Sequence, residues 1–143
     1  MILIRHGEKA WKNGKGPHDD PPLLPSAKDT IISTSKGIGK YLPTALVCSP
    51  YLRCQQTAKL LQETFPTVPI IVDDLLREYH KHPPHLRRGS RVPKIGESKE
   101  EFQQRIQLIK QKYEHKQVLI ITHRPVIQAL TGKHVKQGKS LIT

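Results

Sequence analysis

Two spacings of apolar residues alternate along the chain. Compact apolar runs at residues 1–4, 45–48, 69–72 and 117–122 predict strands, and the stretches between them, with apolar residues three or four apart, predict helices. Residues 27–42 carry Ile31, Ile32, Ile38 and Leu42 and stop before Pro43, a first helix whose last turns are weakened by Gly37 and Gly39. Residues 51–65 set Ala58, Leu61 and Phe65 on one face of a second helix. Ser98 followed by Glu101 reads as a capping box, opening a helix with Phe102, Ile106, Ile109 and Tyr113 inward. A further helix over 125–130 has Pro125 at an early, tolerated position, and residues 140–143 predict an edge strand. The stretch 78–96 has no apolar period and predicts a long loop. Strands alternating with helices predict an α/β fold, a single domain over residues 1–143 with a mostly parallel sheet and helices on both faces.

In sheets of this kind, ligands bind beyond the carboxyl ends of the strands. Reactive residues fall at all four of those ends: Arg5 and His6 after the first strand, Ser49 and Arg53 after the second, Glu78 after the third and His123 after the fourth. Any one of them alone is more often a solvated or packed residue. Four strand ends carrying such residues together point to one rim and one chemistry. Two guanidiniums clamp phosphate oxygens through paired, charge-assisted hydrogen bonds. An imidazole attacks phosphorus and carries it covalently, which divides a difficult hydrolysis into two easier steps. A second imidazole adds positive charge to the transition state, and a carboxyl group protonates the leaving oxygen. This set needs no metal and no cofactor.

Charge extends the picture. With 24 Lys and Arg against 12 Asp and Glu, the net charge of +12 favours anionic ligands. Nucleic acid is one such polyanion, and the lysine-rich stretch 133–139 suits a catalytically idle, RNA-binding relative. Aromatic residues make up only 5% and do not interleave with the basic runs as stacking platforms do, so nucleic acid is not an expected partner. Charged residues interrupt the opening apolar run, which does not resemble a signal peptide, and the strongest apolar run, 118–121, is too short for a bilayer. A cytoplasmic protein without membrane attachment is expected.

Cys48 and Cys54 make neither a disulfide framework nor a zinc site. Four residues separate Cys48 from Arg53 where a cysteine phosphatase loop needs five, so that chemistry is rejected. Cys54, beside Arg53, is either an oxidation-sensitive thiol or, as preferred, a packed helix residue. His80, His82 and His85 lack a ligand spacing of any metal site. Together with Arg87, Arg88, Arg91 and Lys94 they predict a basic lid above the phosphate pocket, favouring substrates with more than one anionic group.

The motifs resemble those of the histidine phosphatase superfamily, the phosphoglycerate mutase-like proteins. The matching segments are Ile4-Arg5-His6-Gly7-Glu8, Ser49-Pro50-Tyr51-Leu52-Arg53-Cys54-Gln55-Gln56-Thr57-Ala58, Leu75-Leu76-Arg77-Glu78 and Ile121-Thr122-His123-Arg124-Pro125, in the family's order. The resemblance implies a phosphoglycerate mutase-like fold and a phosphohistidine on His6. It also implies a phosphate pocket of Arg5, Arg53 and His123, with Glu78 as general acid and base. It implies a metal-independent phosphatase acting on a phosphorylated small molecule or phosphoprotein, with a protein phosphohistidine phosphatase or a phosphomutase as alternatives. Four places depart from the family pattern, one of them Arg124, which adds positive charge beside His123 where a small residue is common. Trp11 is followed by Lys12, with Asn13 one place late; Leu23-Leu24-Pro25-Ser26-Ala27 lacks the usual Thr and Gly; and Tyr79-His80-Lys81-His82-Pro83-Pro84-His85 replaces the Gly-rich run of mutases. The last departure weighs against a mutase.

Overall fold

A strand covered on both faces needs apolar side chains at every position, sent alternately to two layers. The central strands here meet that demand. The computed structural model describes residues 1–11 and 16–143. Its elements run β1 (Ile2–Arg5), α1 (Ala27–Gly37), β2 (Leu46–Cys48), α2 (Leu52–Gln62), β3 (Ile70–Val72), a 3-10 turn (Asp74–Leu76), α3 (Lys99–Tyr113), β4 (Leu119–Thr122), α4 (Arg124–Thr131) and β5 (Ser140–Ile142). The strands form one sheet in the order β3-β2-β4-β1-β5, in which β5 alone is antiparallel to its neighbour.

Alternate strand residues enter separate cores. Ile2, Ile4, Leu46, Cys48, Leu119 and Ile121 pack with Ala27 and Ile31 of α1 and with Cys54, Ala58 and Leu61 of α2. Leu3, Val47 and Ile120 pack on the opposite face with Ile106, Ile109 and Tyr113 of α3 and with Val126 and Ile127 of α4. Each such fully buried aliphatic side chain stabilises the fold by roughly 1.5–3 kcal/mol. The expected α/β sheet with helices on both faces is therefore what forms. Among the described residues, no helix is long and apolar enough to cross a membrane.

Boundaries differ where local chemistry overrides the apolar period. The first helix ends at Gly37 rather than 42, because Ile38 leaves helical geometry at φ −112° and the N–H groups of Ile38 and Gly39 turn back to the Ser35 and Lys36 carbonyls. Leu42 lies outside the helix and is exposed, and the inward face carries Ala27, Ile31 and Ser35, whose hydroxyl bonds Thr64. The second helix stops at Gln62, although Phe65 remains buried in the turn beyond. The capping box is present with both bonds, Glu101 N–H to Ser98 Oγ at 3.1 Å and Ser98 N–H to Glu101 Oε1 at 3.0 Å. Neither helix nor strand occurs between Arg77 and Ser98, as expected of a long loop. The 3-10 turn was not foreseen; Asp73 opens it by accepting the Leu75 N–H at 3.0 Å.

One glycine braces the end of β1. Gly138 lies at φ +74°, and its N–H is shared between the carbonyls of Arg5 and His6, each at 3.0 Å. A Cβ there would sit 2.9 Å from Thr30 Cγ2. Gly138→Ala is expected to cost about 1–2 kcal/mol in a denaturant melt, because an L-residue resists this backbone region. Gly37→Ala meets no neighbour within 4 Å and is expected to stabilise by up to about 1 kcal/mol.

Candidate active site

The parallel pairing of β1, β4 and β2 brings their carboxyl ends to one rim. His6 follows β1, with its N–H on the Thr122 carbonyl at 3.1 Å, and Ser49 follows β2, with its N–H on the Ile121 carbonyl at 3.0 Å. His123 is the N-cap of α4, and Arg53 is the second residue of α2. Two helix N-termini thus point toward the rim, where their dipoles favour an anion. Glu78 follows the 3-10 turn, two residues past its end.

Arg53 joins these residues. Its Nε–H donates to His6 Nε2 at 3.2 Å, and its Nη2 lies 3.3 Å from His123 Nδ1 and 3.4 Å from Glu78 Oε2. Glu78 Oε2 is also 3.4 Å from His123 Nδ1, and the two imidazole rings stand edge to face with centroids 5.3 Å apart. Arg5 stands at the margin: its Nη1 donates to the Val135 carbonyl at 3.2 Å, and its charge is felt at His6. The structure therefore gathers His6, Arg53, Glu78 and His123 into direct contact and sets Arg5 beside them.

The partners assign the His6 tautomer. Nδ1 lies 2.7 Å from the Gly7 carbonyl, which only an N–H satisfies, while Nε2 accepts from Arg53 and so carries the lone pair. Burial, reinforced by Arg53, holds the His6 pKa well below the ordinary histidine value. The same two causes act on His123, with His6 adding to them. Both rings are neutral in the free protein. Ser49 Oγ holds His123 Nε2 at 2.8 Å and accepts the Tyr51 N–H at 3.3 Å.

Of three buried guanidinium nitrogens without a hydrogen-bond partner among the described residues, Arg87 Nε forms an ion pair with Asp20, which leaves Arg53 Nη1 and Arg5 Nε. Buried donors are normally paired, so these mark where an acceptor would bind. A cleft of about 330 Å³ opens at Arg53, lined by Arg53 and Glu78 and bounded by Lys9, Trp11, His18, Asp19, Tyr79, His80 and Pro125, while Arg5 lines a separate hollow with Glu8, Ser26 and Lys136. A larger hollow of about 450 Å³ near Met1, Leu130 and Thr143 holds no comparable set.

The lid differs from its expected arrangement. Of the basic loop, only His80 lines the cleft, stacked on Tyr51 with centroids 5.9 Å apart. Arg87 turns to Asp20, Nε to Oδ2 at 3.4 Å, while Arg88, Arg91 and Lys94 are exposed away from the cleft lining. Asp20 is fully buried, caps α2 by accepting the Leu52 N–H at 2.7 Å, and also takes the Ser90 hydroxyl at 3.3 Å. Asp19 binds the His85 N–H at 2.7 Å and donates its own N–H to the His85 carbonyl at 2.7 Å. The cation that does line the cleft is Lys9, which the sequence reading passed over although it lies three residues from His6. No carboxylate among the described residues lies within ion-pair distance of it.

Among the described residues, no group of His, Cys, Asp and Glu converges as metal ligands, and His80, His82 and His85 form none. Both thiols are buried, so Cys54 is a packed helix residue, and burial pushes the Cys48 thiol up to about 12 and raises that of Cys54 as well. Lys12 and Asn13, part of the departure after Trp11, lie outside the described residues.

The model of the histidine phosphatase superfamily, branch 1, matches residues 1–142. No curated protein sequence matches the chain. Among solved structures, the alpha-ribazole phosphatase from Shigella flexneri is 21% identical, with 97% of this chain and 87% of that one covered at a TM-score of 0.73. A mycobacterial glucosyl-3-phosphoglycerate phosphatase is 22% identical over 92% of this chain and 77% of its own, with a TM-score of 0.68. A proposed phosphohistidine phosphatase, SixA, from Agrobacterium tumefaciens is 19% identical over 90% and 71%, with a TM-score of 0.61. At these identities the likeness is one of fold.

The neutral imidazoles have a consequence for pH. Below about 6.5 the unfolded chain protonates these histidines while the native state resists, so native stability is full above that pH and falls as pH drops toward the depressed native values. Each histidine contributes a slope of at most about 1.4 kcal/mol per pH unit. Denaturant melts between pH 7 and 5 are expected to show a shallower loss in His6→Asn and in His123→Asn than in the wild type. Equal slopes in all three would count against neutral rings.

Proposed function

The chain belongs to the histidine phosphatase superfamily, and from that premise we propose that it is a phosphatase hydrolysing a phosphomonoester or related phosphorylated substrate through a phosphohistidine on His6. The observation that carries the proposal is the contact between the His6 Nε2 lone pair and Arg53, at 3.2 Å, beside guanidinium N–H groups that lack partners. A nucleophile and the donors for its electrophile are adjacent before any ligand arrives.

The reaction follows from this placement. A phosphoryl group takes the guanidinium N–H groups of Arg53 and Arg5, and its oxygens replace His6 as the acceptor for Arg53 Nε. The freed Nε2 lone pair then forms the N–P bond as the bond from phosphorus to the leaving oxygen breaks. A substrate entering as the phosphomonoester monoanion hands its proton to the Glu78 carboxylate, which passes it to the leaving oxygen, and that oxygen departs as an alcohol. In the second half, water attacks phosphorus, Glu78 takes the water proton, the N–P bond breaks, and inorganic phosphate leaves with His6 neutral again. His123 sits opposite His6 with its Nδ1 toward Arg53 and Glu78. A bound dianion favours its protonated form, which adds a donor to the equatorial oxygens. The scheme needs no metal.

Cations reach the cleft through Lys9 rather than through the arginines of the 80–97 loop. Any preference for doubly anionic substrates then resides at that ammonium group.

Rapid quenching with a labelled phosphomonoester is expected to trap an acid-labile, alkali-stable phosphoenzyme. The label is expected to vanish in His6→Ala, and turnover of the wild type to survive a chelator. Retention of label in His6→Ala would move the nucleophile elsewhere, and loss of turnover with chelator would require a metal in the scheme.

A further inference from the structure

Glu78 belongs to neither a helix nor a strand, so something other than a backbone ladder must fix it. A short 3-10 turn leaves its last carbonyls without backbone partners. Here side chains take all three that precede Glu78. Arg105 Nη1 donates to the Leu75 carbonyl at 2.7 Å and to the Arg77 carbonyl at 2.8 Å, and Thr122 Oγ1 donates to the Leu76 carbonyl at 2.7 Å. Thr122 immediately precedes His123, so the residue carrying one bond belongs to the strand that delivers the second imidazole.

Arg105 is itself held. It is a buried guanidinium in the middle of α3, its Nε donates to Glu97 Oε2 at 3.1 Å, and its Nη2 bonds the other Glu97 oxygen. Glu97 is buried too, lies 3.6 Å from Arg77 Nη2, and its N–H donates to the His80 carbonyl at 2.8 Å. The pair therefore grips the chain on both sides of Glu78, at residues 75 and 77 before it and at residue 80 after it. Such a fork, filled by one carboxylate and two carbonyls, uses the planar geometry that lysine lacks.

We infer that Arg105, locked by Glu97, is a positioning residue that holds Glu78 in reach of the leaving oxygen. The inference rests on the reading of Glu78 as the proton donor and deepens it. Neither residue lines the cleft, and Arg105→Lys keeps the charge that bears on His123, so that variant isolates the hold on the Glu78 segment. Protonation matters most when the leaving group is a poor one. An alkoxide leaves only with its proton, whereas a nitrophenolate leaves without help. A displaced acid therefore harms alkyl phosphates selectively, while a general loosening of the fold harms both.

The test compares kcat/KM for glycerol phosphate and for p-nitrophenyl phosphate in the wild type, Arg105→Lys and Glu78→Gln. A paired replacement, Arg105→Met with Glu97→Met, removes the buried charges together, and thermal melting checks that each variant is folded. This double variant carries the comparison if Arg105→Lys does not fold. In Arg105→Lys, or in the double variant, glycerol phosphate is expected to lose roughly 10- to 100-fold more than p-nitrophenyl phosphate. That is a weaker version of the pattern in Glu78→Gln, with His6 still labelled. Equal losses on the two substrates, or none, with the Glu78→Gln pattern intact, would overturn the role of Arg105 and leave Glu78 as the acid. An even loss in Glu78→Gln itself would remove the acid assignment and the positioning role with it.

Discussion

A guanidinium taken out of water must replace every hydrogen bond it leaves behind, and its charge needs a partner in the same low-dielectric space. Arg53 meets these demands only in part. It is 2% exposed, stacks over the Tyr51 ring at 4.6 Å, and touches two imidazoles and one carboxylate, yet keeps an unpaired N–H. Much else follows from that placement. Burial disfavours protonation of the neighbouring rings, and the charge of Arg53 adds to that effect. The His6 lone pair is presented on Nε2 because Arg53 needs an acceptor there. The carboxylate at 3.4 Å is drawn to it from a segment with no regular structure of its own.

The folded state therefore carries a local electrostatic deficit. Two helix N-termini point to the rim, and the Arg53 guanidinium and the Lys9 ammonium line a cleft in which Glu78 is the carboxylate paired with Arg53. The remainder of the molecule supports this with a sheet whose three central strands are apolar on both faces, so the rim is held by two cores rather than one. A dianion entering the cleft supplies acceptors for donors that already point at it, with little reorganisation.

Much of this was legible in the sequence because strand ends and motif residues are local signals. His6, Arg53 and His123 follow their strands closely enough that a parallel sheet forces them to one rim, whereas Glu78, six residues past β3, is brought there by side chains that hold the preceding carbonyls. Helix ends were less legible: residues 38–42 keep an apolar pattern but lose helical geometry where two glycines lower its propensity. The fate of the basic loop was not legible, since whether Arg87 faces a phosphate or a carboxylate depends on Asp20, 67 residues earlier and buried by tertiary packing. Arg105 did leave a trace, an arginine at position 105 between Phe102 and Ile109 on the inward stripe of α3. A charged residue in an apolar stripe asks for a buried partner, and Glu97, just ahead of the helix, supplies it.

The two adjacent aspartates that lace the rim have a thermodynamic corollary. Because Asp19 holds the backbone of His85, and Asp20 holds α2, Ser90 and Arg87, the helix that carries Arg53 and the loop behind Asp19 are tied together by folding rather than at encounter. Ligand capture then resembles filling a mould: little chain entropy is lost on association, and the accompanying heat-capacity change stays small because hardly any apolar surface is newly covered.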